Sequence, residues 1–187
     1  MVKALREGGV GIIPSDTVYG VVCRAADKQA VERLYQIKPR KFKPGTTIAA
    51  SVEQFAELGI PRRYLVAVEH LWPNPLSVVV PTGPGLEYLD HGKGSLPVRI
   101  PADEELLRLL KQTGVLQTTS ANLPDEPPAT TLKEAQTYFG DRVDFYVDGG
   151  DLSGRPPSTI IRVIDDEVVV LREGAVAFDE NGKIVSK

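Results

Sequence analysis

The chain holds one cysteine, one tryptophan, one methionine and two histidines among 187 residues. A disulfide scaffold is therefore excluded, and Cys23, His70 and His91 provide no spacing typical of a structural zinc site. Cys23 lies in the apolar run Val21-Val22-Cys23, which reads as a buried, inert thiol and suits a reducing cytoplasm better than secretion. Long apolar runs are missing too. None approaches the roughly 20 residues of a membrane span, and Met1 to Glu7 has no signal-peptide pattern, so a soluble cytoplasmic protein without membrane contact is expected. Aromatic residues make up 6%, with no visible aromatic and basic platform of the kind that stacks unpaired bases. The 22 basic residues are outnumbered by 25 acidic ones, and a pI near 5.5 argues against a constitutive nucleic-acid binder while leaving room for a local basic pocket. A serine-hydrolase elbow is absent, and Gly92-Lys93-Gly94-Ser95 is not a phosphate-binding P-loop, because glycine follows the lysine.

What is present is ordinary globular composition in one domain-sized length, read as a single domain over 1–187 with no internal repeat. Prolines and glycines cut the chain into short elements of both types. β-Branched runs predict strands at Val10 to Ile13, Thr47 to Ala50, Leu76 to Val80, Leu96 to Ile100, Val115 to Thr119, Asp144 to Val147, Thr159 to Ile164 and Glu167 to Leu171. Several are apolar at consecutive positions, which predicts burial on both faces. Helical spacing predicts helices over Asp27 to Ile37, Val52 to Leu58, Arg62 to Leu71, Asp103 to Gln112 and Leu132 to Phe139, with Asp103 as an N-cap. Asp165-Asp166 reads as a hairpin turn. The expected class is α/β, with helices on a twisted sheet of mixed parallel and antiparallel strands.

Four segments look unlike plain scaffold. Pro14 to Gly20 puts small polar side chains and a tyrosine directly after a buried strand, where a strand end often faces a crevice; a hydroxyl-capped turn explains it equally. Lys38-Pro39-Arg40-Lys41-Phe42-Lys43 sets four cations at a helix C-terminus, either a solvated cap favoured by the helix dipole or a phosphate clamp. Thr118 to Asn122 gathers more hydroxyl and amide groups than local turns satisfy, although a helix N-cap explains one or two of them. Finally, Asp148-Gly149-Gly150, Gly154 and Pro157-Ser158-Thr159 form a glycine-rich stretch with Arg172 fourteen residues after Ser158; its glycines permit close backbone approach to a ligand, or simply turns.

In this order the segments resemble the YrdC/Sua5 family, the L-threonylcarbamoyladenylate synthases that begin threonylcarbamoyladenosine formation in tRNA. The matching stretches are Pro14 to Gly20, Lys38-Pro39-Arg40, Val98 to Pro101, Ser120-Ala121-Asn122, Ser158-Thr159-Ile160 and Arg172 to Gly174. The resemblance implies a YrdC-like domain with a basic concave cleft, and a nucleotidyl transfer that joins L-threonine, bicarbonate and ATP into threonylcarbamoyl-AMP and pyrophosphate. Mg2+ is expected to ride on ATP. By the same resemblance Lys38, Arg40, Ser120 and Asn122 are catalytic and nucleotide-binding, Arg172 is a further nucleotide contact, and Thr17, Arg99, Thr118 and Ser158 take the amino acid, with Arg99 on its carboxylate. Tyr19 packs behind this wall. Further expected partners are proteins that receive the threonylcarbamoyl group, with weak tRNA binding. The chain departs from the pattern at Lys41 to Pro44, at Ala49, where many members carry a histidine, and at Pro124, Asp125 and Pro128. Ala49 and the altered Lys41 to Pro44 segment favour the alternative, a non-catalytic YrdC/YciO-like paralogue that binds RNA or a nucleotide, whereas retention of Lys38, Arg40, Ser120 and Asn122 favours the enzyme.

Overall fold

Helix starts follow from local capping chemistry in a computed structural model that describes residues 1–38, 43–165, 167–180 and 182–185. The helices are α1 (Val2–Arg6), α2 (Lys28–Ile37), α3 (Val52–Leu58), α4 (Arg62–Val68), α5 (Glu87–Asp90), α6 (Glu104–Thr113) and α7 (Leu132–Phe139). Asp27 caps α2 by accepting from Ala30 N at 3.0 Å, and Asp103 caps α6 through Leu106 N at 2.8 Å. Thr131 and Glu134 form a reciprocal capping box on α7. Gly59 ends α3 in the left-handed region at φ 110°, a conformation open to glycine because it lacks Cβ. The helix predicted to reach Leu71 ends at Val68, and Glu69–Leu71 tighten into a 3-10 turn.

The strands are β1 (Gly11–Ile13), β2 (Gly20–Arg24), β3 (Thr46–Ile48), β4 (Leu76–Pro81), β5 (Ser95–Arg99), β6 (Leu116–Ser120), β7 (Phe145–Tyr146), β8 (Thr159–Ile164), β9 (Glu167–Arg172), β10 (Ala177–Phe178) and β11 (Ile184–Val185). The first nine form one sheet in the order β7-β1-β2-β6-β3-β5-β4-β8-β9, and β10 pairs with β11 separately. β1–β7, β3–β5 and β4–β8 run parallel while the other neighbours are antiparallel, so the sheet is mixed as the class reading expects. β8 and β9 form the expected hairpin, with Ile164 opposite Glu167 and Asp165 at φ 49°; Asp166 lies outside the described residues.

Alternating side chains divide two cores between the sheet faces. Ile12, Val21 and Cys23 join the larger core with Leu34, Phe55 and Leu76, whereas Ile13 and Val22 meet Leu5, Leu106, Leu109 and Leu110 on the other side. Burial on both faces thus holds for β1, β2 and β6. It fails for the outer hairpin, where Val163, Ile164, Val169, Val170 and Leu171 are exposed because β9 is the sheet edge. β2 escapes the sequence reading altogether, although its Val-Val-Cys run is apolar at consecutive positions. The short helices α1 and α5 escape it as well, being too brief to show a period.

A polar cleft at the strand ends

Pairing of β2 with β6 places Gly20 opposite Ser120 and Val22 opposite Thr118. The glycine is required by close approach, since a Cβ there would stand 2.7 Å from Thr118 Oγ1. Into the same cleft, of about 90 Å³, come Ser15 and Thr17 from the loop after β1, Arg99 at the end of β5, Thr118 to Ser120 of β6, Ser158 before β8 and Arg172 at the end of β9. Of the residues expected to form the site, the cleft wall therefore holds Thr17, Arg99, Thr118, Ser120, Ser158 and Arg172.

Lys38 and Asn122 stand directly behind Ser120. Lys38 is the C-cap of α2, and only 5% of it is exposed. Its ammonium donates to Ser120 O, to Ser120 Oγ at 3.2 Å and to Asn122 Oδ1 at 2.5 Å. Ser120 Oγ also donates to Asn122 Oδ1 at 2.7 Å, while Asn122 Nδ2 donates to Leu123 O and Glu126 O. This buried cation is not the solvated helix cap that the dipole alone would explain. Arg40, Lys41 and the rest of 39–42 lie outside the described residues; of the basic residues, Arg99 and Arg172 line the cleft.

The amino-acid side expected from the sequence contains an ion pair that the sequence reading did not single out. Arg99 Nη2 lies 3.1 Å from Asp16 Oδ1, with the two side chains 4% and 5% exposed. Burial raises the Asp16 carboxyl above its ordinary value, opposed by the Arg99 charge; burial likewise lowers Arg99, opposed by Asp16. In the same loop Ser15 Oγ donates to Val18 O at 2.6 Å, accepts from Thr17 N at 3.2 Å and lies 3.0 Å from Thr17 Oγ1. Both readings of the segment are thus met: Ser15 caps the turn, and the turn presents Thr17 to the cleft.

Arg172 Nε and Nη2 donate to Ser158 O at 3.0 and 2.6 Å, and Nη2 also reaches Ser158 Oγ at 2.9 Å. Ser77 Oγ approaches Ser158 Oγ at 3.2 Å from β4, a contact invisible in the sequence because the two are 81 residues apart. Gly174 serves packing here, since a Cβ on it would fall 2.2 Å from Pro157 O. In the glycine loop Gly149 packs on Pro14, and Gly149 N donates to Tyr19 Oη, which itself donates to Gly150 O, both at 2.8 Å. The loop braces the fully buried Tyr19, a residue that also contributes to the cleft lining.

A second hollow, of about 210 Å³, lies beyond Pro14 and Ser15 against Leu106, Leu109, Val147 and Leu152; it contains none of the expected site residues. On α2, Lys28 sits 5.2 Å over the Tyr88 ring, and Tyr35 packs against His91 with ring centroids 4.3 Å apart. An aromatic and basic group therefore exists that the sequence did not reveal, its Tyr35 and His91 rings tilted at 51° to each other. Among the described residues no cluster of His, Cys, Asp and Glu could hold a metal ion, and no helix is long and apolar enough to cross a membrane.

Fold and cleft together define an α/β protein with a polar cleft of arginine and hydroxyl side chains at the strand ends of a mixed sheet. The Sua5/YciO/YrdC family model, described as "Telomere recombination", matches residues 3–174, and the chain belongs to that family. It is 33% identical over 171 residues to the threonylcarbamoyl-AMP synthase of Stutzerimonas stutzeri, covering 89% of this chain and 92% of that protein. The Marinobacter nauticus protein of the same name is 33% identical over 163 residues, with 84% and 86% covered. The structure of P. abyssi Sua5 complexed with L-threonine superposes with a TM-score of 0.83 at 29% identity, covering 94% of this chain and 53% of the other, so this chain spans about half of that protein.

Proposed function

We propose that the chain is a threonylcarbamoyl-AMP synthase, a nucleotidyltransferase that makes threonylcarbamoyl-AMP and pyrophosphate from L-threonine, bicarbonate and ATP for tRNA modification. The observation that carries this reading is the convergence of Thr17, Arg99, Thr118, Ser120, Ser158 and Arg172, from five separate stretches of chain, on one cleft backed by Lys38 and Asn122.

In the reaction the threonine amine adds to carbon dioxide equivalents from bicarbonate, losing water, and yields an N-carboxylate. That carboxylate oxygen attacks the α-phosphorus while the bond to pyrophosphate breaks. No protein nucleophile is needed; the requirement is alignment and neutralisation of charge. Lys38 and Arg172 supply fixed positive charge to phosphate oxygens, with Ser120 and Asn122 orienting Lys38, and Arg40 is assigned beside them from the sequence. Arg99 takes the threonine carboxylate, for which a guanidinium offers parallel donors, while Thr17, Thr118 and Ser158 present hydroxyls to the amino acid. The described residues hold no carboxylate cage, so Mg2+ belongs to the reading as part of the MgATP substrate. The proposed setting is the cytoplasm, with the labile product passed to threonylcarbamoyl-transfer proteins and tRNA bound weakly.

Pyrophosphate release with ATP and bicarbonate, with and without L-threonine, tests this reading. Threonine-dependent release is expected. Nucleotide binding without any turnover would instead favour a non-catalytic YciO-like role.

A further inference from the structure

Arg99 and Asp16 form a buried ion pair in the wall of the cleft, and the proposed chemistry calls on only one of them. Such pairs contribute little net stability, because removing both charges from water offsets their attraction. Its local geometry is also incomplete. Asp16 Oδ2 accepts from Ala102 N at 3.4 Å, which ties the carboxylate to the backbone beyond β5. Oδ1 stands 3.1 Å from Arg99 Nη2 without the alignment of a hydrogen bond, and Arg99 Nε is buried with no hydrogen-bond partner. Asp16 therefore meets the guanidinium at Nη2, Nε is enclosed and unpaired, and the residue contributes to the cleft wall.

We infer that Asp16 is a positioning residue, which grips one edge of the Arg99 guanidinium and so aims its remaining donors at the α-carboxylate of the amino-acid substrate. This rests on the reading of Arg99 as the carboxylate contact. A carboxylate binds a guanidinium through parallel donors in one plane, so a rotation of the fork costs alignment even where the charge is retained. Asp16 bears on that plane by charge at Nη2, from a loop whose neighbouring Thr17 lines the same cleft. When substrate arrives, two carboxylates share one guanidinium, and the proton affinity of Asp16 rises. The charged groups bearing on Asp16 are Arg99 of β5 and Asp103 at the N-cap of α6; Asp103 already pushes the carboxyl in the same upward direction.

Two measurements test the inference. In the first, Asp16→Asn removes the charge but keeps the shape, and Asp16→Glu keeps the charge. Asp16→Asn should raise the KM for L-threonine by about tenfold, the scale of one lost charge-assisted alignment, while the KM for ATP stays within about twofold; Asp16→Glu should recover part of the loss. Equal changes in both KM values, no change, or a fall in the threonine KM would overturn it, the last because it would make Asp16 a competitor for Arg99. In the second, the wild-type protein carries 13C at its aspartate carboxyls, so the outcome does not depend on Asp16→Asn folding. Saturating L-threonine should move the Asp16 titration midpoint upward, and ATP alone should leave it in place. A midpoint that threonine binding does not move overturns the positioning role and leaves the synthase reading standing. If the wild-type protein binds no threonine, the synthase reading itself fails, and this inference with it.

Discussion

Replacing Lys38 by methionine keeps the length and most of the bulk of the side chain but removes the buried ammonium from behind Ser120. Three acceptors lose a charged donor: Ser120 O, Ser120 Oγ and Asn122 Oδ1. A hydrogen bond to a charged group contributes about 1.5–3 kcal/mol net. Ser120 Oγ and Asn122 Oδ1 still satisfy each other at 2.7 Å, so the loss falls short of three full bonds and should come to about 2–4 kcal/mol. The effect on catalysis is separate. A fixed positive charge standing behind Ser120 and acting on phosphate oxygens across the cleft wall should be worth about 1.5–3 kcal/mol in the transition state, or roughly 10–10² in kcat/KM for ATP. Pyrophosphate release would be followed with threonine and bicarbonate saturating, at a temperature where the urea transition shows Lys38→Met to be fully folded. A variant that is folded under those conditions and keeps kcat/KM within about threefold of wild type would refute the clamp. Activity that returns once the variant is fully folded would likewise show that Lys38 acts only through stability.

Gly174→Ala places a methyl group into the backbone of Pro157 to Thr159, and should lower Tm by several degrees and weaken turnover through displacement of Ser158; unchanged melting would show that the loop yields freely. Burial pushes the Cys23 thiol far up, so a thiol reagent such as DTNB should find no reactive group in the native protein and one equivalent after denaturation. Asp144 accepts from Arg33 and from Val10 N, contacts that hold its carboxyl below the usual range, with the Arg33 hydrogen bond as the larger cause. Its contribution is present above the unfolded carboxylate value and disappears as pH falls through the folded one. Asp144→Asn should therefore cost about 1 kcal/mol at neutral pH, limited by the partial exposure of the pair, and progressively less as pH falls through the lowered carboxyl value, read from urea midpoints.

The sequence by itself determined whatever is local. Asp27, Asp103 and the Thr131/Glu134 pair act on atoms within three residues of their own positions, so the starts of α2, α6 and α7 are present in the residue order. The mixed sheet was readable too, because β-branched runs and the turn at Asp165 reflect short-range preferences. The order of the candidate site residues was likewise visible as six stretches in register with a family pattern. Only the tertiary structure decided what those residues touch. Lys38 meets Ser120 across 82 residues and Arg99 meets Asp16 across the gap between β1 and β5, since strand order is set by packing over both sheet faces and no local signal encodes it. The same cause turned a basic helix end into a buried cation, left the apolar β9 exposed at the sheet edge, and gave Asp16, a plain turn residue by its neighbours, a buried partner in the cleft wall.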